Sequence, residues 1–322
     1  MQRILQPGEI ESLDHTSFPR VLLPNTGSLF QERASRIRQL AEGNPIADYL
    51  NFIASLVQAQ HQAVQDLAVA APDAAAIEQA QEFSSPLLPA ADHLDPVWHQ
   101  VLDTMLTQLS SADGLPAPLQ PLLSELKAAS TDDRNAIAKR LLTKELAARD
   151  VGMAPFVMAA LQVVFARRAS QLKVADVPYT DPATICPVCA TEPVASVIRI
   201  GGKQAGHRYL HCGCCATEWH MVRVKCSHCE STKSIHYQGV DGGKDVVLAE
   251  TCGECGSYRK IINQEKDPLA EPLADDLASL MLDLLMSEET QFQRASGNPL
   301  LFVAVAEPQE ASDEPSSVPD LH

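Results

Sequence analysis

All nine cysteines of this chain fall between Cys186 and Cys255. Eight of them form four C-x-x-C knuckles: Cys186-Pro-Val-Cys189, Cys212-Gly-Cys-Cys215, Cys226-Ser-His-Cys229 and Cys252-Gly-Glu-Cys255. A C-x-x-C turn aims two sulfurs at one point, and two such turns complete a tetrahedral four-thiolate cage. Spacing decides the pairing. Twenty-two residues separate the first knuckle from the second, and again the third from the fourth. Adding 40 to Cys186, Cys189, Cys212 and Cys215 gives Cys226, Cys229, Cys252 and Cys255, the mark of a tandem duplication. Gly202 and Gly242 keep the same offset. So do Gly213 and Gly253, where a small residue is expected to let the backbone turn and bring amides to the sulfurs. We read two tandem rubredoxin-like or zinc-ribbon-like modules, 185–224 and 225–265, each with one mononuclear site.

Between the knuckles the residues suit strands. Val194 to Ile200 runs to Gly201-Gly202, and Arg208-Tyr-Leu210 returns to the second knuckle. In the second module Ser234 to Gln238 runs to Asp241-Gly-Gly243, and Val246 to Leu248 returns. Turn glycines between β-rich runs predict a hairpin in each module. Trp219 to Val224 is expected to form a strand that joins the modules directly.

Three chemistries use paired cysteines. Disulfides belong to oxidising compartments, and the start Met1-Gln-Arg-Ile-Leu5, with Pro7, Glu9 and Glu11 close behind, lacks the form of a secretion signal. A dithiol redox motif accounts for one C-x-x-C but not for four in register. Metal binding accounts for all eight. A four-cysteine tetrahedron accepts zinc or iron, and spacing alone favours zinc. Cys214 has no counterpart 40 residues on, where Glu254 stands, so it is read as a spare thiol beside the site. His207, His211, His220, His228 and His236 lie in the same window. Eight thiolates already fill two sites, which leaves these rings to hydrogen bonding or solvent.

The formal net charge is −16, which argues against a surface built to grip nucleic acid. From 186 to 262 there are nine Lys and Arg against seven Asp and Glu, so the rest of the chain carries −18 (16 cations against 34 anions). Four thiolates on a divalent ion leave each site at −2 and cancel the small local surplus. No apolar stretch is long and uninterrupted enough to span a bilayer. The chain contains no G-x-S-x-G, H-E-x-x-H, P-loop or dinucleotide fingerprint. Four sulfurs on an ion leave no open position for metal-assisted hydrolysis, so the chain is read as a non-enzyme.

The fold class expected is α+β: a helical domain over 1–172, a linker over 173–184, the two metal modules, a C-terminal helix with its extension over 266–306, and a disordered tail over 307–322. The first 25 residues, with Pro7, Pro19 and Pro24, read as a loose arm. A helix is expected from Ser28. Ile46, Leu50, Ile53, Val57, Val64 and Leu67 recur at threes and fours, and Trp98, Val101, Leu102, Met105 and Leu109 do the same after Pro96. Short helices are expected over 74–81 and 122–129. Ser130 with Asp133 suits the cap of a helix running to Arg149. The run from Pro155 to Leu172 is apolar nearly all round in its first half and reads as a central helix, with Arg167 and Arg168 facing solvent at its end. Beyond the modules, Leu273, Leu277, Leu280, Met281 and Leu284 are expected to line one face of a helix that packs on the helical domain, with Asp275, Asp276 and Asp283 opposite.

Several connecting runs are more distinctive than the knuckles. Arg208-Tyr-Leu-His-Cys212, Ala216-Thr-Glu-Trp-His220 and Arg223-Val-Lys-Cys226 surround the first site, and Glu265-Lys-Asp-Pro268, Glu271 to Leu277 and Gly297-Asn-Pro-Leu300 follow the second. With Cys186-Pro-Val-Cys189, they resemble the FdhE family of formate dehydrogenase accessory proteins; Cys214, inside a knuckle that the family writes as plain C-x-x-C, is a departure. The resemblance implies a cytoplasmic maturation factor for respiratory formate dehydrogenase. It implies binding to the catalytic subunit before twin-arginine export, and iron rather than zinc at the eight cysteines. It says nothing of oligomeric state. Two other readings stand beside it: a rubredoxin-like electron carrier, and a nucleic-acid-binding double ribbon that the near-neutral modules disfavour.

Overall fold

The computed structural model describes residues 18–111, 116–240, 242 and 244–302. Most of the expected N-terminal arm, the expected 307–322 tail and part of the Asp241-Gly-Gly243 turn lie outside these residues.

Among the described residues, seven α-helices precede the cysteine window: α1 (Leu29–Ala41), α2 (Ala47–Gln65), α3 (Ala74–Glu82), α4 (Val97–Ser111), α5 (Leu119–Ala128), α6 (Thr131–Thr143) and α7 (Ala154–Ala169). Their apolar periodicity is what buries them. Leu50, Ile53, Val57 and Val64 of α2 and Trp98, Val101, Leu102, Met105 and Leu109 of α4 all sit in one core. Ser130 caps α6, its hydroxyl accepting from the Asp133 amide at 3.1 Å. That helix does not run to Arg149. It stops at Lys144 in the left-handed conformation (φ 62°), and Asp150 turns back to take two 2.7 Å bonds from Arg140. In α7 every residue from Ala154 to Ala166 is buried, which makes it the central helix. Arg167 and Arg168 at its end are half-buried rather than solvated, donating to the carbonyls of Leu67 and His93.

Among the described residues, eight strands form one sheet: β1 (Val21–Leu22), β2 (Pro193–Ile198), β3 (Arg208–Cys212), β4 (Glu218–His220), β5 (Ile235–Gln238), β6 (Val247–Cys252), β7 (Ser257–Asn263) and β8 (Gln293–Arg294). The order is β1-β4-β3-β2-β7-β6-β5, with β8 added on β7. Each module is thus a three-stranded antiparallel meander, β2-β3-β4 and β5-β6-β7, holding the two expected hairpins. The meanders join head to tail where β2 runs parallel to β7, pairing Ser196 with Ile261 and Ile198 with Asn263. The expected connecting strand over 219–224 is only β4. Val224 stands at φ 62°, and the chain turns there into the third knuckle. A strand from the far N-terminal side, β1, pairs with β4 (Val21 with Trp219), so the helical part contributes to the sheet as well.

The expected C-terminal helix is two helices, α8 (Pro272–Ala278) and α9 (Leu280–Glu289), broken at Ser279. Its expected faces do not hold across the break. Leu273 and Leu277 are buried, but Met281 and Leu284 are exposed, while Asp275 and Asp276 are buried. The reason is charge pairing. Asp275 takes Arg36 of α1 in a two-point bond of 2.6 and 2.9 Å, and Asp276 takes Arg294 at 2.5 Å with Lys260 nearby at 3.7 Å. Arg33 of α1 meets Glu271 at 2.9 Å in the same seam, so the C-terminal helices do pack on the helical part, through ions as well as leucines.

Candidate metal centres

Each knuckle is built by one repeated local device. The amide of Cys186 donates to the Thr191 carbonyl and that of Ala190 to the Cys186 carbonyl, closing a tight turn. Forty residues on, Cys226 donates to Ser231 and Glu230 to Cys226. The turns require a left-handed residue after each knuckle: Ala190 (φ 65°), Ala216 (57°), Glu230 (61°) and Gly256 (67°). At three of those four places an L side chain is held where glycine would be easier, at a cost of about 1 kcal/mol each. Gly202 and Gly242 also share positive φ, as their offset suggests. Gly213 and Gly253 do not. A side chain at Gly213 would meet Pro299 at 3.1 Å, and one at Gly253 would meet Ser234 at 2.9 Å, so both are glycine for close packing. The amides that reach sulfur come from the following residues: Cys214 and Cys215 donate to Cys212 at 3.4 and 3.3 Å, and His228 and Cys229 to Cys226 at 3.3 and 3.4 Å.

These turns bring together the sulfurs that the spacing pairs. Cys186, Cys189, Cys212 and Cys215 form one group and Cys226, Cys229, Cys252 and Cys255 the other, the sulfurs of each within 4.8 Å of one another. Closest approaches are 3.5 and 3.3 Å in the first group and 3.8 and 3.7 Å in the second. A tetrahedron of metal–sulfur bonds of about 2.3 Å has sulfur–sulfur edges of about 3.8 Å. The second group matches this and the first lies slightly inside it. Each group can therefore hold one four-coordinate metal ion.

Hydroxyls complete both sites, and sequence reading missed them. Thr191 lies 3.1 Å from both Cys189 and Cys212, Thr217 3.2 Å from Cys215, and Ser257 3.0 Å from Cys255. Thr217 and Ser257 obey the 40-residue offset, which was the available signal. Cys214 is buried but belongs to neither group. Neither group includes a histidine. His211 instead puts Nδ1 2.6 Å from Glu218 and Nε2 3.5 Å from Arg33, while His207 and His220 lie 4.1 and 4.4 Å from the ring of Phe18.

The electrostatics of the two groups differ. The first is fully buried, and burial pushes the Cys186 and Cys215 thiols well above their usual range. Cys189 is drawn well below that range, desolvation being outweighed by hydrogen bonds from Cys186, Cys212, Cys214 and Cys215, so one thiolate is stable in the group and a cation is needed to hold four. In the second, Cys229 and Cys255 are exposed. Desolvation raises the Cys229 thiol to about 12, whereas at Cys255 desolvation is outweighed by hydrogen bonds from Ser257, Cys229 and Cys252 together, which hold the thiol at about 7.

The first group is wired into the helical core. Amides of Leu87, Leu88 and Ala90 donate to the carbonyls of Pro187, Val188 and Cys189 at 3.1, 2.7 and 2.9 Å, and Gln162 of α7 donates to the Gly213 carbonyl at 2.6 Å. Trp219 donates from its indole to the Ala183 carbonyl at 2.8 Å, fixing the 173–184 segment to the sheet. Beside this group Glu218, buried between Arg199 and His211, has its carboxyl held down at about 2 despite the desolvation that opposes ionisation.

Comparison with known proteins gives this arrangement a family. Models of the FdhE N-terminal, central and C-terminal domains match residues 18–181, 185–223 and 224–301 in turn. A Protein FdhE homolog of Cronobacter sakazakii is 39% identical over 309 residues, covering 93% of this chain and 97% of that one. Protein FdhE of Salmonella enteritidis PT4 is 38% identical with the same coverage, and a homolog of Edwardsiella ictaluri is 42% identical over 284 residues (88% and 91%). The crystal structure of the FdhE protein from Pseudomonas aeruginosa superposes with a TM-score of 0.78 at 36% identity, covering 88% of this chain and 99% of that one. With its two four-cysteine groups, its helical N-terminal part and its single shared sheet, this chain belongs to the FdhE family.

Proposed function

We propose that this protein is a cytoplasmic accessory factor for respiratory formate dehydrogenase, which binds the catalytic subunit before twin-arginine export and performs no catalysis itself. Membership of the FdhE family over nearly the whole chain carries this reading. Among the described residues no helix is long and apolar enough to cross a membrane, which fits a protein that meets its partner on one side of it.

Cys186, Cys189, Cys212 and Cys215 would hold one metal ion and Cys226, Cys229, Cys252 and Cys255 another, and the family resemblance favours iron over zinc. Iron would add a one-electron couple to the cross-link that either metal supplies. The chain's own contribution is the cage: amides and hydroxyls turned toward sulfur, and a sheet shared by both sites. That cage presents a rigid surface only when loaded, because knuckle hairpins this short bury too little to fold alone. The exposure of Cys229 and Cys255 favours a second reading, in which the outer site passes electrons to a partner.

Elemental analysis and a visible spectrum of anaerobically purified protein identify the metal. A strain lacking the protein should make the catalytic subunit yet oxidise little formate by the respiratory route. Full activity in that strain would remove the accessory reading, and reduction of a partner by the loaded protein would support the electron carrier.

A further inference from the structure

In the first meander, the outer edge of β2 is filled by β7, and the Ile198 carbonyl accepts from the Gln264 amide on that side at 3.2 Å. The duplication places β5 where β2 stands, β6 where β3 stands and β7 where β4 stands. The outer edge of β5 is therefore the counterpart of the β2 edge. Among the described residues no strand lies on it.

The backbone of that edge is set to receive one. Ser234 accepts from the Gly253 amide at 2.9 Å, so by antiparallel alternation Ser234, His236 and Gln238 turn their backbone groups to the β6 side. The N–H and C=O groups of Ile235 and Tyr237 point the other way. A bulge at Pro193/Ala195 shifts the match by one residue, so these two take the places of Val194 and Ser196, and Gly239 takes that of Ile198. Tyr237 and Val240 are 46% and 41% exposed beside the edge. The strand that fills the equivalent place pairs through Ile261, Ile262 and Asn263, two of the three β-branched. A second copy of the chain joining in the same head-to-tail way would need the β4 edge, which β1 already occupies.

We infer that the outer edge of β5 is a docking strand for an extended, β-branched segment of the partner polypeptide, which adds parallel to Ile235–Gln238 as β7 adds to β2. This rests on the accessory reading for the identity of the partner, and on the duplication alone for the site. Backbone pairing supplies affinity without demanding one sequence, which suits a protein that meets another chain before it is fully folded.

Two probes test it with the full, metal-loaded chain. One is the formate dehydrogenase catalytic subunit; the other is a labelled peptide with the β7 sequence Ser-Tyr-Arg-Lys-Ile-Ile-Asn. Tyr237→Pro removes an outward N–H that β6 does not use and blocks the edge, and should cut binding of both probes by about tenfold or more. Tyr237→Phe keeps the backbone and loses only the 3.2 Å bond to Glu250, and should bind as the parent does. Metal content equal to the parent's shows that both variants fold. The amides of Ile235 and Tyr237 should also exchange more slowly with deuterium in the complex. Undiminished binding of both probes by the proline variant, or peptide binding lost equally in both variants, overturns the edge. If the peptide binds and the subunit does not, the edge stands and the accessory reading falls. If neither binds the parent, both fall. A dimer of the chain that Tyr237→Pro abolishes would give the edge to a second copy and overturn the assignment to a foreign strand.

Discussion

Cys186, Cys189, Cys212 and Cys215 are each no more than 1% exposed, whereas Cys229 and Cys255, the counterparts of Cys189 and Cys215, face solvent. Both groups are built on one repeated unit with the same turns and left-handed residues at the same positions. The difference lies in what surrounds them. The first module's knuckles are part of the main core, with Leu87 to Ala90 laid along one and Gln162 bonded to the other. The second module rests on small clusters such as Ala249, Tyr258, Leu282 and Met286, and the nearest neighbour of Gly253 is Ser234 of its own hairpin. A duplicated metal cage thus takes two physical roles according to its neighbours. The inner cage is part of the folding core, and the outer one is open to reagents and partners.

The sharpest way to break this contrast is to remove one ligand from each site. Cys189→Ser should abolish the inner metal and take roughly 10 kcal/mol of folding free energy with it, about the whole stability of a domain, leaving insoluble protein. Cys252→Ser should lose one metal equivalent and lower the melting temperature while the helical part stays folded, as circular dichroism would record. Equal losses in the two variants would show that the sites are equivalent. Chelator competition gives a milder probe. The outer site should release its metal at least about tenfold faster, since water and chelator reach its sulfurs directly, and two phases of equal amplitude are expected. A single phase would contradict the contrast.

The charge beside the inner cage gives a third, smaller effect. The folded Glu218 carboxyl lies near 2 against an unfolded value of 4.5, so it contributes stability that is full above pH 4.5 and lost as pH falls toward 2. Glu218→Gln should cost roughly 3 kcal/mol at pH 7 and flatten the loss of stability between pH 4.5 and 2, which denaturant titrations across that range would read. The corresponding position in the outer module is Tyr258, so no equivalent acid transition is expected there. Least disruptive is Cys214→Ala, which should keep two metals per chain and cost less than about 2 kcal/mol, because Cys214 packs beside the inner group without joining it. Loss of a metal would make it a ligand.

Much of this was legible before any coordinates. The 40-residue offset paired all eight sulfurs, and the periodicity of α2 and α4 named most of the large residues on their buried faces but not Leu56 or Leu106. What failed did so where long-range partners overrode a local pattern. Leu280, Met281 and Leu284 looked like the continuation of one stripe from Leu273, but Asp275 and Asp276 found Arg36 and Arg294 and were drawn inward, and the helix broke at Ser279. Helix α6 ended early because Asp150 could reach back to Arg140. The glycines at 213 and 253 were legible as special, but not the reason for it. Close packing against Pro299 or Ser234 involves atoms distant in the chain, at Gly213 by 86 positions.

By itself, then, the sequence determined which sulfurs meet, because a C-x-x-C turn and its left-handed closing residue are local and repeat with the ligands they serve. It also determined the helices, whose apolar spacing needs only a core to face. Only the tertiary structure decided that the two modules share one sheet through β2 and β7 and that, among the described residues, the inner cage is sealed by the helical part and the outer one is not, and the edge of β5 is left without a strand. These depend on which surfaces are buried against which, and residues far apart in the chain settle that together.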